Sequence, residues 1–128
     1  PADPDRVKSV FDWDMATLGD PLVDLGTLLH YTPNPDDPAE IQGGVRYPAS
    51  LELPSQAEVA ARYAERTGAD VSGITWYLAF ARWKTATVYQ QLANRSLRGE
   101  TKDARNAHLG NTVPVLAGSA SELLEQLR

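Results

Sequence analysis

The 128 residues of this chain carry a net charge of −5, with 42% hydrophobic residues and no cysteine. That length suits one domain able to bury a core. The acidic balance argues against a nucleic-acid or anionic-membrane binder, and the missing thiols exclude disulfides and thiolate metal sites.

No stretch approaches the ~20 apolar residues of a bilayer span, and no basic-then-apolar leader opens the chain. A cytoplasmic protein without membrane contact is therefore expected. Pro1-Ala2-Asp3-Pro4-Asp5 reads as a turn. Arg6 to Asp12 alternates and is rich in β-branched and aromatic residues, which predicts a strand. One strand cannot make a sheet, so its partner must come from elsewhere; a homodimer through residues 6–12 is one way to supply it. Gly19-Asp20-Pro21 is a helix start, with Asp20 as N-cap and Pro21 at the first helical position. The helix is expected over 21–31. Thr32 to Pro54 holds five of the nine prolines plus Gly43-Gly44, which predicts a long loop.

Ser55-Gln56-Ala57-Glu58 has the form of a capping box, opening a helix that ends near Thr67-Gly68. Ser72 is expected to cap the next helix, which runs to about Arg98 with Gly99 after it. Its Ile74, Trp76, Tyr77, Leu78, Phe80, Trp83, Val88, Tyr89 and Leu92 cover more than one face, as in a central buried helix. On this reading most of Trp76, Tyr77, Phe80, Trp83 and Tyr89 pack in the core rather than line a pocket, while Arg82 and Lys84 lie on the surface with snorkelling stems. His30 reads as structural, and Asn34-Pro35-Asp36-Asp37 as turns. A short helix over 102–109 and a last one over 114–127 complete the chain. One strand followed only by helices excludes a doubly wound α/β domain.

The stretch that bears chemistry is Val10-Phe11-Asp12-Trp13-Asp14-Met15-Ala16, followed by Leu18-Gly19-Asp20-Pro21-Leu22-Val23-Asp24-Leu25. An aspartate at a strand end offers a hard anionic oxygen on a rigid element. Magnesium favours one or two such carboxylates, with phosphate or water oxygens completing its shell. The hydrophobic-Asp-Trp-acidic motif, the Gly-Asp-Pro turn and the Asp-Leu helix resemble, in this order, the aminoglycoside phosphotransferase family of kinase-like small-molecule phosphotransferases. Tyr63-Ala64-Glu65-Arg66-Thr67-Gly68 and the helix from Trp76 to Leu92 look like its helical subdomain.

The resemblance implies a mainly α fold. The chain would be the helical carboxy-terminal subdomain of a protein-kinase-like enzyme, with one amino-terminal strand or hairpin remnant. Residues 1–20 would then be the remnant of the catalytic core with the metal aspartate, and 21–128 the helical subdomain, with the long loop over 32–54. Asp12 matches the magnesium-binding aspartate, Asp14 the second acidic position supporting it, and Asp24 an aspartate that braces the catalytic loop by accepting its backbone N–H groups. The implied cofactors are Mg2+ and ATP or GTP. The implied partners are that nucleotide and a small-molecule alcohol.

Phosphoryl transfer also needs a phosphate-cradling loop, a lysine, and a catalytic loop with aspartate and asparagine. No Gly-x-Gly-x-x-Gly occurs here, and neither His30 nor His108 begins such a loop. The chain supplies no catalytic base, and it is expected to be inactive alone as a fragment of a larger phosphotransferase. Two other readings compete: a non-catalytic helical interaction module, and a glycosyltransferase using Asp12-Trp13-Asp14 as a metal-binding pair.

Overall fold

The computed structural model describes residues 7–42 and 53–128. The expected Pro1–Asp5 turn, Arg6 and the Gly43-Gly44 part of the long loop lie outside the described residues. The fold is mainly α, consistent with a helical kinase-like subdomain. Among the described residues, a 3-10 turn over Trp13–Met15 precedes five helices: α1 (Pro21–Tyr31), α2 (Ala39–Gln42), α3 (Gln56–Thr67), α4 (Ile74–Leu97) and α5 (Arg105–Glu125).

The expected amino-terminal strand does not form among the described residues. Residues 7–12 run without ladder hydrogen bonds, and Val7, Val10 and Phe11 are exposed. A strand needs a neighbour for its backbone donors and acceptors, and no described residue provides one.

Local chemistry sets the start of α1 and both ends of α3. The Asp20 side chain accepts the Leu22 N–H at 2.9 Å, and Pro21 opens α1. At α3 the capping box is complete: Ser55 Oγ accepts the Glu58 N–H, and the Glu58 carboxylate accepts the Ser55 N–H at 2.8 Å. Gly68 ends α3 at φ 73, a left-handed conformation that a side chain would strain. Gln56 Nε2 donates to the Leu29 and Thr32 carbonyls at 2.9 and 3.2 Å. The start of α3 thus gives the Leu29 carbonyl a second donor beside the Thr32 N–H and covers the Thr32 carbonyl just past α1.

Two boundaries differ from the sequence reading. Gly73, not Ser72, occupies the N-cap of α4, and the Ser72 N–H donates instead to Asp70 Oδ1. The two expected closing helices are one continuous helix, α5, with Pro114 inside it. A proline there forfeits one helical hydrogen bond and costs about 3 kcal/mol. Exposed Pro114 leaves the opposite face free to bury Leu116, Ser119 and Ala120, and α5 lies along α4. Packing along that face carries the helix through the break.

The core cluster is Leu25 and Leu29 from α1, Ala60 from α3 and Leu78 from α4, flanked by Leu22, Val59, Tyr63, Val71, Ile74 and Leu123. Helix α4 is central, but its buried residues are mostly small: Ala79, Ala81, Ala86 and Ala93. Of the aromatic residues expected in the core, Trp76 and Trp83 lie towards solvent, 47% and 54% exposed, while Tyr77, Phe80 and Tyr89 are half-buried. Trp76 stacks on Phe80 with centroids 5.6 Å apart, and Phe80 meets Trp83 at 5.8 Å.

Small residues let neighbouring helices approach α4 closely, and the tightest point is Gly26. A Cβ there would stand 2.7 Å from the backbone carbon and oxygen of Tyr77. We expect Gly26→Ala to destabilise the fold by about 3 kcal/mol, because backbone cannot rotate aside as a side chain can. Urea unfolding checks this, and a loss below ~1 kcal/mol would mean that α1 sits farther from α4.

Candidate functional site

The Asp12 motif forms a compact turn. Trp13 Nε1–H donates back to the Val10 carbonyl at 2.7 Å, and the Ala16 N–H donates to the Trp13 carbonyl at 3.0 Å. Asp12 precedes the 3-10 turn at φ 68, ψ 52. Among the described residues it is the one non-glycine residue with positive φ. Aspartate tolerates this left-handed region better than most residues, and such conformations concentrate at functional sites.

Asp12 and Asp14 are both exposed. The structure brings their carboxyl groups together, and the hydrogen bond with Asp14 raises the Asp12 pKa, with a smaller contribution from burial. Two carboxylates in contact repel when both are ionised, so a shared proton or a cation relieves them. That donor set fits magnesium, which needs few protein ligands. Among the described residues, no three His, Asp or Glu side chains group into an all-protein metal cage.

Asp24 stands on a separate element, in the first turn of α1, and is exposed. Asp20 at the head of that helix has two partners. Besides capping Leu22, its second carboxylate oxygen accepts the Tyr77 hydroxyl at 2.5 Å. The Tyr77 bond, then the Leu22 bond, holds the Asp20 carboxyl below the usual carboxylate range.

A second polar group lies inside the fold, and it corrects the reading of Arg82 as a surface stem. Arg82 is 3% exposed. Its guanidinium donates to Ser119 Oγ on α5 and to Asp37 Oδ1, the latter at 2.5 Å. Asp37 ends the expected turn, with its N–H donating to the Asn34 carbonyl at 3.1 Å. One ion pair thus ties the 33–38 loop to α4 and α5. Lys84, two residues on and on another face of α4, is exposed, and its Nζ donates to Thr27 Oγ1 at 3.4 Å.

His30 is buried, as its structural reading required, and its Nδ1 has no hydrogen-bond partner. Burial first, and then the Arg82 charge, lower its pKa from the ordinary 6.5 to about 4; Asp37 opposes this and Lys84 adds to it. The unfolded chain takes up this proton below about pH 6.5, whereas the folded chain resists it down to about pH 4. The stability tied to neutral His30 is full above 6.5 and is lost progressively as the pH falls through that window. Thermal midpoints at pH 7 and pH 5 should therefore drop more for the parent chain than for His30→Gln. Parallel pH dependences of the two would refute the assignment.

Comparison with known proteins bears on the Asp12 segment. Residues 2–63 match the phosphotransferase enzyme family, so the resemblance read from the motifs holds. Over 120 residues the chain is 30% identical to acyl-CoA dehydrogenase family member 11 of Mus musculus, covering 92% of this chain and 15% of that protein. It is 28% identical over 126 residues to the probable acyl-CoA dehydrogenase IBR3 of Arabidopsis thaliana, covering 94% of this chain and 15% of the relative. A third relative, acyl-CoA dehydrogenase family member 10 of Mus musculus, is 28% identical over 117 residues, covering 88% of this chain and 11% of its own. The chain therefore spans only a small part of the curated relatives that it matches. No solved structure matches it. Among the described residues, no helix is long and apolar enough to cross a membrane.

Proposed function

We propose, from this phosphotransferase-family segment, that the chain is part of an enzyme moving the terminal phosphoryl group of ATP or GTP to a small-molecule hydroxyl. The observation that carries the reading is the backbone of Asp12. A left-handed aspartate heading a single turn, with a second carboxyl beside it, is a costly arrangement for a solvated chain segment. It is well suited to presenting one hard oxygen ligand.

In this reading Asp12 holds Mg2+ and Asp14 supports it. An ion held there would supply positive charge to offset the charge that develops during transfer. Asp12 would help to orient a nucleotide by holding that ion, and Trp13 holds the turn closed by its bond to Val10. Asp24, exposed on the first turn of α1, is placed to accept backbone N–H groups from a catalytic loop that these 128 residues do not include. The base, phosphate loop and lysine come from outside the segment, so the 128 residues alone should not turn over nucleotide. The setting is the cytoplasm, where nucleotide and magnesium are plentiful.

The relatives' names extend the reading to the acceptor. Proteins named for acyl-CoA dehydrogenation carry a segment similar to this chain. A phosphotransferase joined to such chemistry would act on a hydroxyl of an acyl thioester rather than on a polycationic sugar. The test is transfer of labelled terminal phosphate by the enzyme containing this segment, offered a hydroxyacyl thioester or an aminoglycoside. Labelled acyl thioester supports the reading. Labelled aminoglycoside alone would overturn the acceptor, and no Mg2+-dependent product from any alcohol would overturn phosphotransfer. A non-catalytic helical module is the competing reading, and nucleotide binding separates the two. The exposed 7–12 segment pairs with a strand from outside these 128 residues on the first reading, or with a second copy on the other.

A further inference from the structure

Tyr77 meets α1 at two places. Its backbone lies against Gly26, where even a Cβ would not fit. Its hydroxyl reaches back along α1 to the N-cap, donating to Asp20 Oδ2 at 2.5 Å while Asp20 Oδ1 accepts the Leu22 N–H. Trp76 packs edge-on against the same ring, with centroids 5.0 Å apart. The first contact fixes the distance between α1 and α4. The second fixes the position of α1's amino end along α4, where the chain arrives from the Asp12 turn and begins the helical turn bearing Asp24. Exposed helix ends fray most readily, and residues 11–14 and 16–20 leading into this one are all exposed.

We infer that Tyr77 is a positioning residue that latches the amino end of α1, and with it the Asp12 and Asp24 carboxylates, onto α4. Its catalytic consequence rests on the proposed function; the latch itself does not. Asp20 acts in the latch as the acceptor and in the helix as the cap. A serine can replace the cap oxygen but offers no second oxygen to Tyr77. Asp20→Ser therefore removes the latch and keeps the cap, and Tyr77→Phe removes the hydroxyl while keeping the ring.

The experiment follows amide hydrogen exchange in this chain. In Tyr77→Phe, exchange at Leu22 and Val23 should rise by roughly tenfold, while the Leu116 amide on α5 stays within about twofold. Asp20→Ser should behave alike, and the double variant should match Asp20→Ser alone, because both changes break one contact. In the enzyme containing the segment, both single variants should lower kcat several-fold and weaken the Mg2+-dependent part of nucleotide binding, while metal-free nucleotide binding stays unchanged.

Unchanged Leu22 and Val23 protection in Tyr77→Phe overturns the latch, whatever happens to transfer. An equal rise at Leu116 also overturns it, because Tyr77 would then be a general packing residue. Local loosening with an unaltered kcat overturns the positioning role. A parent enzyme with no transfer at all removes the proposed function, and the exchange data still decide the latch.

Discussion

Asp12→Asn will lower phosphoryl transfer by the enzyme containing this segment by roughly a hundredfold or more, and leave the melting temperature of the chain unchanged. Asparagine tolerates the left-handed backbone at φ 68 as aspartate does, so the turn survives. It keeps one carbonyl oxygen but loses the charge that a dication needs. Because Asp12 is exposed, its replacement strands no buried partner. Rates within tenfold of the parent would remove Asp12 from the metal site. A large drop in melting temperature would mean that the turn, not the charge, had been lost.

Asp37→Ala will cost about 3–5 kcal/mol of folding stability, a large share of what a domain of this size holds. The Arg82 and Asp37 side chains are only 4% and 8% exposed. Removing the carboxylate leaves a guanidinium buried with Ser119 as its remaining hydrogen-bond acceptor. The penalty is that of an uncompensated charge, so it exceeds the net worth of the pair. Replacing both partners in Asp37→Ala/Arg82→Met should recover a substantial part of the loss. Denaturant titrations of parent, single and double variants measure this, and a single-variant cost below ~1 kcal/mol would show that water reaches Arg82.

What the sequence made legible is what neighbours in the chain decide. Asp20-Pro21, the Ser55-to-Glu58 box and Gly68 mark helix ends through contacts two to four residues long. The Asp12-Trp13-Asp14 motif was likewise readable, because its residue types and the Gly-Asp-Pro turn after it state their chemistry locally. Its left-handed backbone was not, since nothing in the composition of the turn requires it.

Long-range choices were hidden. Helix α4 has apolar residues on more than one face, and periodicity does not say which face meets α1 and α5. The structure buries the alanine face, which permits the close approach at Gly26, and leaves Trp76 and Trp83 towards solvent. Arg82 and Asp37 are 45 residues apart in the chain. No local pattern announces that pair, and an arginine beside aromatic residues reads as a surface stem. Pro114 misled in the opposite sense: a reliable local stop signal yielded to burial of Leu116, Ser119 and Ala120 beyond it. The stretch 6–12 has the residue types of a strand, but the described residues offer nothing for residues 7–12 to pair with.

Calorimetric titration of ATP or GTP into the enzyme containing this segment, with and without Mg2+, bears most directly on the role of Asp12. Magnesium should tighten nucleotide binding to the parent, and this tightening should vanish in Asp12→Asn while metal-free binding stays the same. An Asp12→Asn enzyme that binds the magnesium–nucleotide complex as tightly as the parent would contradict the account.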